Sequence, residues 1–486
     1  MVAFQAIHEW DDAPGVVTSW EPSASTLAKV AAAPVNSVPV SYQQAQHLHA
    51  YRDHAAHGRN MARLNIPSWN IQGQCDVRAM THVINAYLRR HDTFHSWFEH
   101  DGGDGFIRHT LENPRDIRFA AKNYGEMTAE AWRAHALATP NPLQWDCFRF
   151  GVIQRTDHFT FFLSVDHVHA DAMFMGALFV EIHMMYAALV GGGAPLQLPE
   201  PGSYHDYCTR QHEYTSALTL DSPEVRAWIE YAEENGGSMP KFSLPLGTMA
   251  ESRGGALLTV ELLDEEQTDR FEAACMAEGT RFSGGVFACA ALAERALTGN
   301  DTYHVVTPTT TRNSQSEFMT TGWFTGLVPI TVPVGGLSFG AIARAAQASF
   351  DSRVDLAHVP FERVVELASE VGVHKPDSGV PMLSYLDAGL PPLSPAIIAE
   401  WNQLNGRVFS DAGDAHQFGM WVNRLGRGTT ITVAFPNNST ARVSALRYVE
   451  AMRAEYLAVV QDGTAAPAVT PEQNVPALAA AGSVAN

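Results

Sequence analysis

Residues 157–190 read DHFTFFLSVDHVHADAMFMGALFVEIHMMYAALV, and the architecture turns on how this stretch is interpreted. Its first part is rich in aromatic and β-branched residues. It lies beyond a polar turn at Arg155 to Asp157, opposite a second apolar run, CFRFGVIQ (147–154). Two strands paired across that turn are expected. From Asp171 to Val190 the residues are apolar on every side, which predicts a helix buried in a large core. Residues 172–190 are long enough to cross a bilayer. Glu181 and His183 fall near the middle of that span, where charge is costly in lipid, so a buried helix is the better reading. Between strand and helix sits the densest polar cluster in the chain, Asp166-His167-Val168-His169-Ala170-Asp171.

Upstream, DVRAMTHVINAYLRR (76–90) places Val77, Met80, Ile84, Tyr87 and Leu88 at helical spacing, with Asp76 as N-cap. Downstream, GGGAPLQLPEPGS (191–203) has no periodicity and is read as a linker. It divides a first lobe (1–190) from a second (204–462). In the second lobe, Ser222-Pro223 opens a helix. LTVELL (258–263) is a strand followed by a helix with an acidic first turn. VFACAALAERALTG predicts a helix ending at Gly299, and FGAIARAAQASFD another helix. YHVVTP, LVPITVPV and TTITVAF (429–435) are strands, and 441–460 is a helix. The tail 463–486 has the composition of a disordered segment. DHFTFFLSV and GTTITVAF each precede a polar loop and a long helix, which suggests two related α/β lobes.

With 486 residues and 46% hydrophobic content, the chain can bury a substantial core, so a disordered protein is excluded. Its formal charge of −20 makes nucleic acid an unfavourable partner and gives no whole-chain attraction to anionic lipid. The five cysteines are widely spaced with no CxxC pair, as expected of free thiols in a reducing cytoplasm. The N-terminus has neither the basic nor the apolar region of a secretory signal.

Three readings of the polar cluster stand on spacing alone. In one, Asp171 caps the helix and both histidines satisfy backbone groups. In the second, His167 and His169, at i and i+2, bind a metal with Asp166 or Asp171. In the third, a histidine at the edge of the core acts as a general base.

The cluster resembles the HHxxxDG motif of the chloramphenicol-acetyltransferase-like acyltransferases. These include peptide-synthetase condensation domains and mycobacterial polyketide-associated acyltransferases. His167 and Asp171 fall on the motif's second His and its Asp, while Asp166 stands for the first His and Ala172 for the Gly. PVSYQQAQH (39–47), INAYLRRHDT (84–93), PLQWDCFRFGVIQ (142–154), HEYTSALTLDSPEVRAW (212–228) and GWFTGLVPITVPV (322–334) add to the likeness. In the last, Gly326 stands where Asn is common. QFGMW (417–421) is similar to the family's late Phe-Gly element. The match spans most of residues 36–460 and is closest to the mycobacterial enzymes that acylate trehalose.

The resemblance implies an α/β (α+β) fold of two acetyltransferase-like lobes, each a mixed sheet covered by helices, with a tunnel between them. It implies transfer of a long-chain acyl group from acyl-CoA, or from a carrier-bound thioester, to a hydroxyl of trehalose or an acylated or sulfated trehalose. His167 would be the general base, with no acyl-enzyme, no metal and no bound cofactor; acyl-CoA is a co-substrate. Asp171 would pair with a distant arginine, for which Arg312 is the candidate. Trp323 and Thr325 are candidate tunnel residues, Gln417 a candidate hydrogen-bonding group near the reacting centre, and Ser384 a candidate donor to the oxyanion. The setting implied is cytoplasmic, at the inner face of the plasma membrane, with a polyketide synthase and a lipid transporter as partners. A non-catalytic scaffold protein of lipid assembly and a metal-dependent hydrolase are the alternatives.

Overall fold

The computed structural model describes residues 4–10, 13–192, 196–377, 379–387, 394–414, 417–424 and 428–462. The tail 463–486 and the linker's 193–195 lie outside them.

The two strands expected around the Arg155–Asp157 turn form as Phe148–Gln154 and His158–Asp166, antiparallel, with Phe148 opposite Val165. They occupy the middle of a seven-stranded sheet with Leu64–Gln72, Gly15–Pro22 and Phe119–Met127. Because side chains alternate across a strand, Phe159, Phe161 and Leu163 pack on one face under the helices Val77–Arg90 and Phe174–Val190. Phe162 packs on the other, against Trp10, Trp132 and Phe409. Both faces are therefore covered, which explains strands that read as continuous apolar runs.

Helix Val77–Arg90 is capped by the Asp76 carboxylate, which accepts from the backbone of Arg78 and Ala79. The apolar helix starts at Phe174, and no helix among the described residues is long and apolar enough to cross a membrane. Glu181 is fully buried within it, but its carboxylate faces the Arg90 guanidinium at 3.4 Å and His91 Nε2 at 3.1 Å. His183 faces Glu400 at 3.3 Å.

The second sheet has six strands in the spatial order Gly255–Leu263, Thr429–Pro436, Phe418–Arg424, Pro381–Asp387, Thr302–Thr310 and Thr325–Pro333. It is mixed: Pro381–Asp387 runs parallel to both its neighbours and the other pairs are antiparallel. Helices Phe282–Thr298, Phe339–Arg353 and Ser439–Asp462 supply much of the core on one face. Gly299 ends the first of these in the left-handed conformation (φ 80°) expected at a helix C-terminus.

One exchange was not expected. Arg407–Ser410 leaves the second half and inserts into the first sheet, antiparallel to Asn65–Ser68 and parallel to Phe4–Ala6. Its four residues give no periodicity to read, yet Val408 and Phe409 bury on opposite faces of that sheet. All five cysteines are free thiols.

Candidate active site

The loop from Asp166 to Asp171 connects the central strand of the first sheet to its apolar helix. Asp166 caps a single 3-10 turn, His167–His169. Gln44 donates from Nε2 to the Val168 carbonyl at 3.0 Å, and with Ser41 it forms a capping box on helix Tyr42–Ala56. The SYQQ element thus anchors the loop from behind.

Asp166 is buried with both oxygens occupied. Oδ1 lies 2.7 Å from His47 Nε2 and accepts from the Val168 amide; Oδ2 accepts from Arg63 Nη1 at 2.8 Å. Burial alone would raise this carboxyl, but His47 and Arg63 more than offset it and hold it below the usual carboxylate range.

Asp171 has the same degree of satisfaction on the opposite side. Oδ1 accepts from the amides of Met173 and Phe174, which fixes the start of the helix. Arg312 donates from Nη1 to Oδ2 at 2.6 Å and from Nη2 to Oδ1 at 3.2 Å, and the Phe324 amide donates to Oδ2. Arg312 is 7% exposed, sits over the Phe324 ring, and also binds the carbonyls of Glu317 and Thr320. It is a buried tie between the two sheets rather than a solvated loop residue.

His167 differs from both carboxylates. It is only partly buried as a residue, yet its Nδ1 is out of contact with water and makes no hydrogen bond. Its ring lies 4.0 Å from that of Trp323, centroid to centroid. Loss of hydration pushes its pKa down to about 4, and the positive field of His47 adds to this against the opposing pull of Asp171 and Asp166. The imidazole is therefore neutral near pH 7 and able to accept a proton.

His169 points elsewhere. It is 1% exposed, with Nδ1 against Thr93 Oγ1 and Nε2 against Cys147 Sγ, and it packs on Phe94 and Phe148. The two histidines do not converge, and no group of three His, Cys, Asp or Glu residues positioned for a metal occurs among the described residues.

A cavity of about 510 Å³ opens between the two sheets, lined by His167 and by residues from both halves of the chain. Trp323, Thr325, Ser384 and Gln417 all line it. Arg312 does not; it stands behind Asp171.

A model of the condensation domain matches residues 46–375. The chain belongs to the condensation-domain family. Among curated relatives, Trehalose-2-sulfate acyltransferase PapA2 of Mycobacterium tuberculosis is 52% identical, over 96% of this chain and 99% of that one. Acyltransferase PapA3 of the same species is 49% identical, over 94% and 96%. A solved structure of PapA2 acyl transferase superposes with a TM-score of 0.91 at 51% identity, covering 94% of this chain and 99% of that one. The first condensation domain of the calcium-dependent antibiotic synthetase, at 16% identity and TM-score 0.64, shares the fold. The protein is an acyltransferase of this family, and its architecture is the two-lobed one implied by the motif.

Against the condensation-domain motif, the departures have physical accounts. Asp166, in place of the first His, is the shared counter-ion of His47 and Arg63. Ala172, in place of Gly, is not among the residues with positive φ, so its Cβ costs no backbone strain. Gly326 passes so close to the Ala357 carbonyl that any side chain would collide with it. In the sequence, His47 lies within the family element PVSYQQAQH with nothing to mark its role, and Arg63 is a single arginine with no pattern around it.

Proposed function

We propose that this acyltransferase moves a long-chain acyl group from acyl-CoA, or from a carrier-bound thioester, to a hydroxyl of trehalose or of a sulfated or acylated trehalose. The relatives named for trehalose-2-sulfate support a sulfated acceptor in envelope glycolipid synthesis. The observation that carries the reading is the neutral His167 imidazole at the wall of the inter-sheet cavity, with its loop fixed from both sides by Asp166 and Asp171.

The chemistry follows from that placement. A sugar hydroxyl attacks the thioester carbonyl and gives its proton to His167. The new C–O bond forms a tetrahedral oxyanion, to which the Ser384 hydroxyl is the candidate donor. Collapse breaks the C–S bond, and His167 returns the proton to the thiolate, giving an ester and free thiol. A thioester is already activated, so no enzyme nucleophile is required. Asp171 and Arg312 are positioning residues. They set the loop and do not touch the proton. Trp323 walls in the ring, and Thr325 and Gln417 face the substrates. The proposed setting is the cytoplasm, at the inner face of the membrane, with a polyketide synthase supplying acyl chains and a lipid transporter removing the product.

The test is incubation of purified protein with palmitoyl-CoA and either trehalose or 2-sulfated trehalose. Acylated sugar by mass spectrometry together with free thiol is the expected result. Thioester hydrolysis without acylated sugar would overturn the reading.

A further inference from the structure

The cavity wall carries an apolar patch built from Met175, Phe179, Ile398, Trp401 and Val408, while Gln43, Gln46, His167 and Asp171 contribute polar side chains from the first half. Toward the second sheet it carries polar side chains on neighbouring parallel strands. Ser384 is paired in register with Trp421, and Leu386 with Asn423. Trp421 and Asn423, two positions apart on Phe418–Arg424, both line the cavity.

Asn423 is 2% exposed, and its Nδ2 donates to the Trp421 carbonyl at 3.3 Å. Its Oδ1 is buried with no hydrogen-bond partner. Folded proteins rarely leave a buried amide oxygen unmatched, because the lost hydration is not regained. Neither a fatty acyl chain nor a thioester carbonyl has a donor to give it. A polyol does. Beside it, Gly419 has no Cβ, and the space a Cβ would fill is taken by the Trp421 indole, 2.6 Å from that position. The missing side chain lets the indole lie along the strand.

We propose that Trp421 and Asn423 form the sugar subsite. The Trp421 indole packs on the apolar face of a pyranose ring, and Asn423 Oδ1 accepts a hydrogen bond from a ring hydroxyl. The acyl chain takes the apolar patch of Met175, Phe179, Ile398, Trp401 and Val408. This rests on the sugar-acceptor reading above and adds residues to it.

Steady-state acyl transfer from palmitoyl-CoA to trehalose and to 1-octanol, by the full chain and by Asn423→Val and Trp421→Leu, tests it. Removing an unmatched buried oxygen should leave the Tm of Asn423→Val unchanged or higher. The KM for trehalose should rise about tenfold or more, since a site built to bind a hydroxyl loses most when that bond is lost. KM for palmitoyl-CoA and the rate with 1-octanol should stay near wild type in both variants. An unchanged trehalose KM in both variants would overturn the subsite, and so would a raised palmitoyl-CoA KM, which would place the pantetheine amides there instead. If wild-type protein acylates 1-octanol and no sugar, the sugar-acceptor reading itself fails and the subsite falls with it.

Discussion

Asp171 and Arg312 stand 141 positions apart in sequence and share two hydrogen bonds in the interior, one of 2.6 Å and one of 3.2 Å. The carboxylate also receives three backbone amides, two from the start of the apolar helix and one from Phe324. One side chain therefore fixes the helix that follows His167 and the segment that carries Trp323. The position of the His167 ring relative to the second sheet depends on this pair.

Breaking the pair from one side leaves a buried charge uncompensated. Arg312→Ala should cost about 3–5 kcal/mol in urea unfolding, and Arg312→Lys less, since lysine keeps the charge but not the two-pronged geometry. Activity should fall in both variants, mainly in kcat.

Asp166→His would restore the family's first motif residue. It should nevertheless lower stability and rate, because Arg63 and His47 lose their shared counter-ion. Removing a buried partner of this kind costs about 3 kcal/mol or more. A Tm equal to wild type with full activity would contradict the account of Asp166.

Gly326→Asn is likewise a return to the family pattern that should fail here. The new Cβ meets the Ala357 backbone carbonyl, so the strand Thr325–Pro333 must shift against the turn Val354–His358. Overpacking of this sort costs about 1–3 kcal/mol, readable as a lowered Tm.

Much of this was legible in the sequence, and the failures have causes. Apolar periodicity located the Val77–Arg90 helix, and continuous runs of aromatic and β-branched residues around a polar turn located the paired strands ending at Asp166. His167 and Asp171 fall on a motif whose spacing reflects one loop, whereas Arg312, 141 positions beyond Asp171, stands in the sequence only as a candidate for the distant arginine that the resemblance implies. The strand Arg407–Ser410 escaped because four residues carry no period, and its pairing partners lie more than 300 positions away. His47 and Arg63 escaped because their role is to neutralise Asp166, a contact made only in three dimensions. Asn423 reads as an ordinary polar residue in a strand. Only its buried, unmatched oxygen gives it meaning.

The pH dependence follows from the depressed His167 pKa of about 4. In the proposed mechanism the neutral ring is the active form, so kcat/KM should stay level down to about pH 5 and fall tenfold per unit below about pH 4. A free-enzyme limb near 6.5 would place the base in a hydrated setting and contradict the burial argument. The sign for stability is the same. The unfolded chain binds the His167 proton at a higher pH than the native one does, so stability is lost as pH falls from about 6.5 toward 4.

The central claim is that one imidazole handles the proton in acyl transfer. Its most direct test is the rate of palmitoyl transfer from CoA to trehalose by His167→Ala, alongside the Tm of the same preparation. The account predicts a loss of about 10²–10⁴ in rate at an unchanged Tm. A folded His167→Ala protein that still transfers within a few-fold of wild type would contradict it.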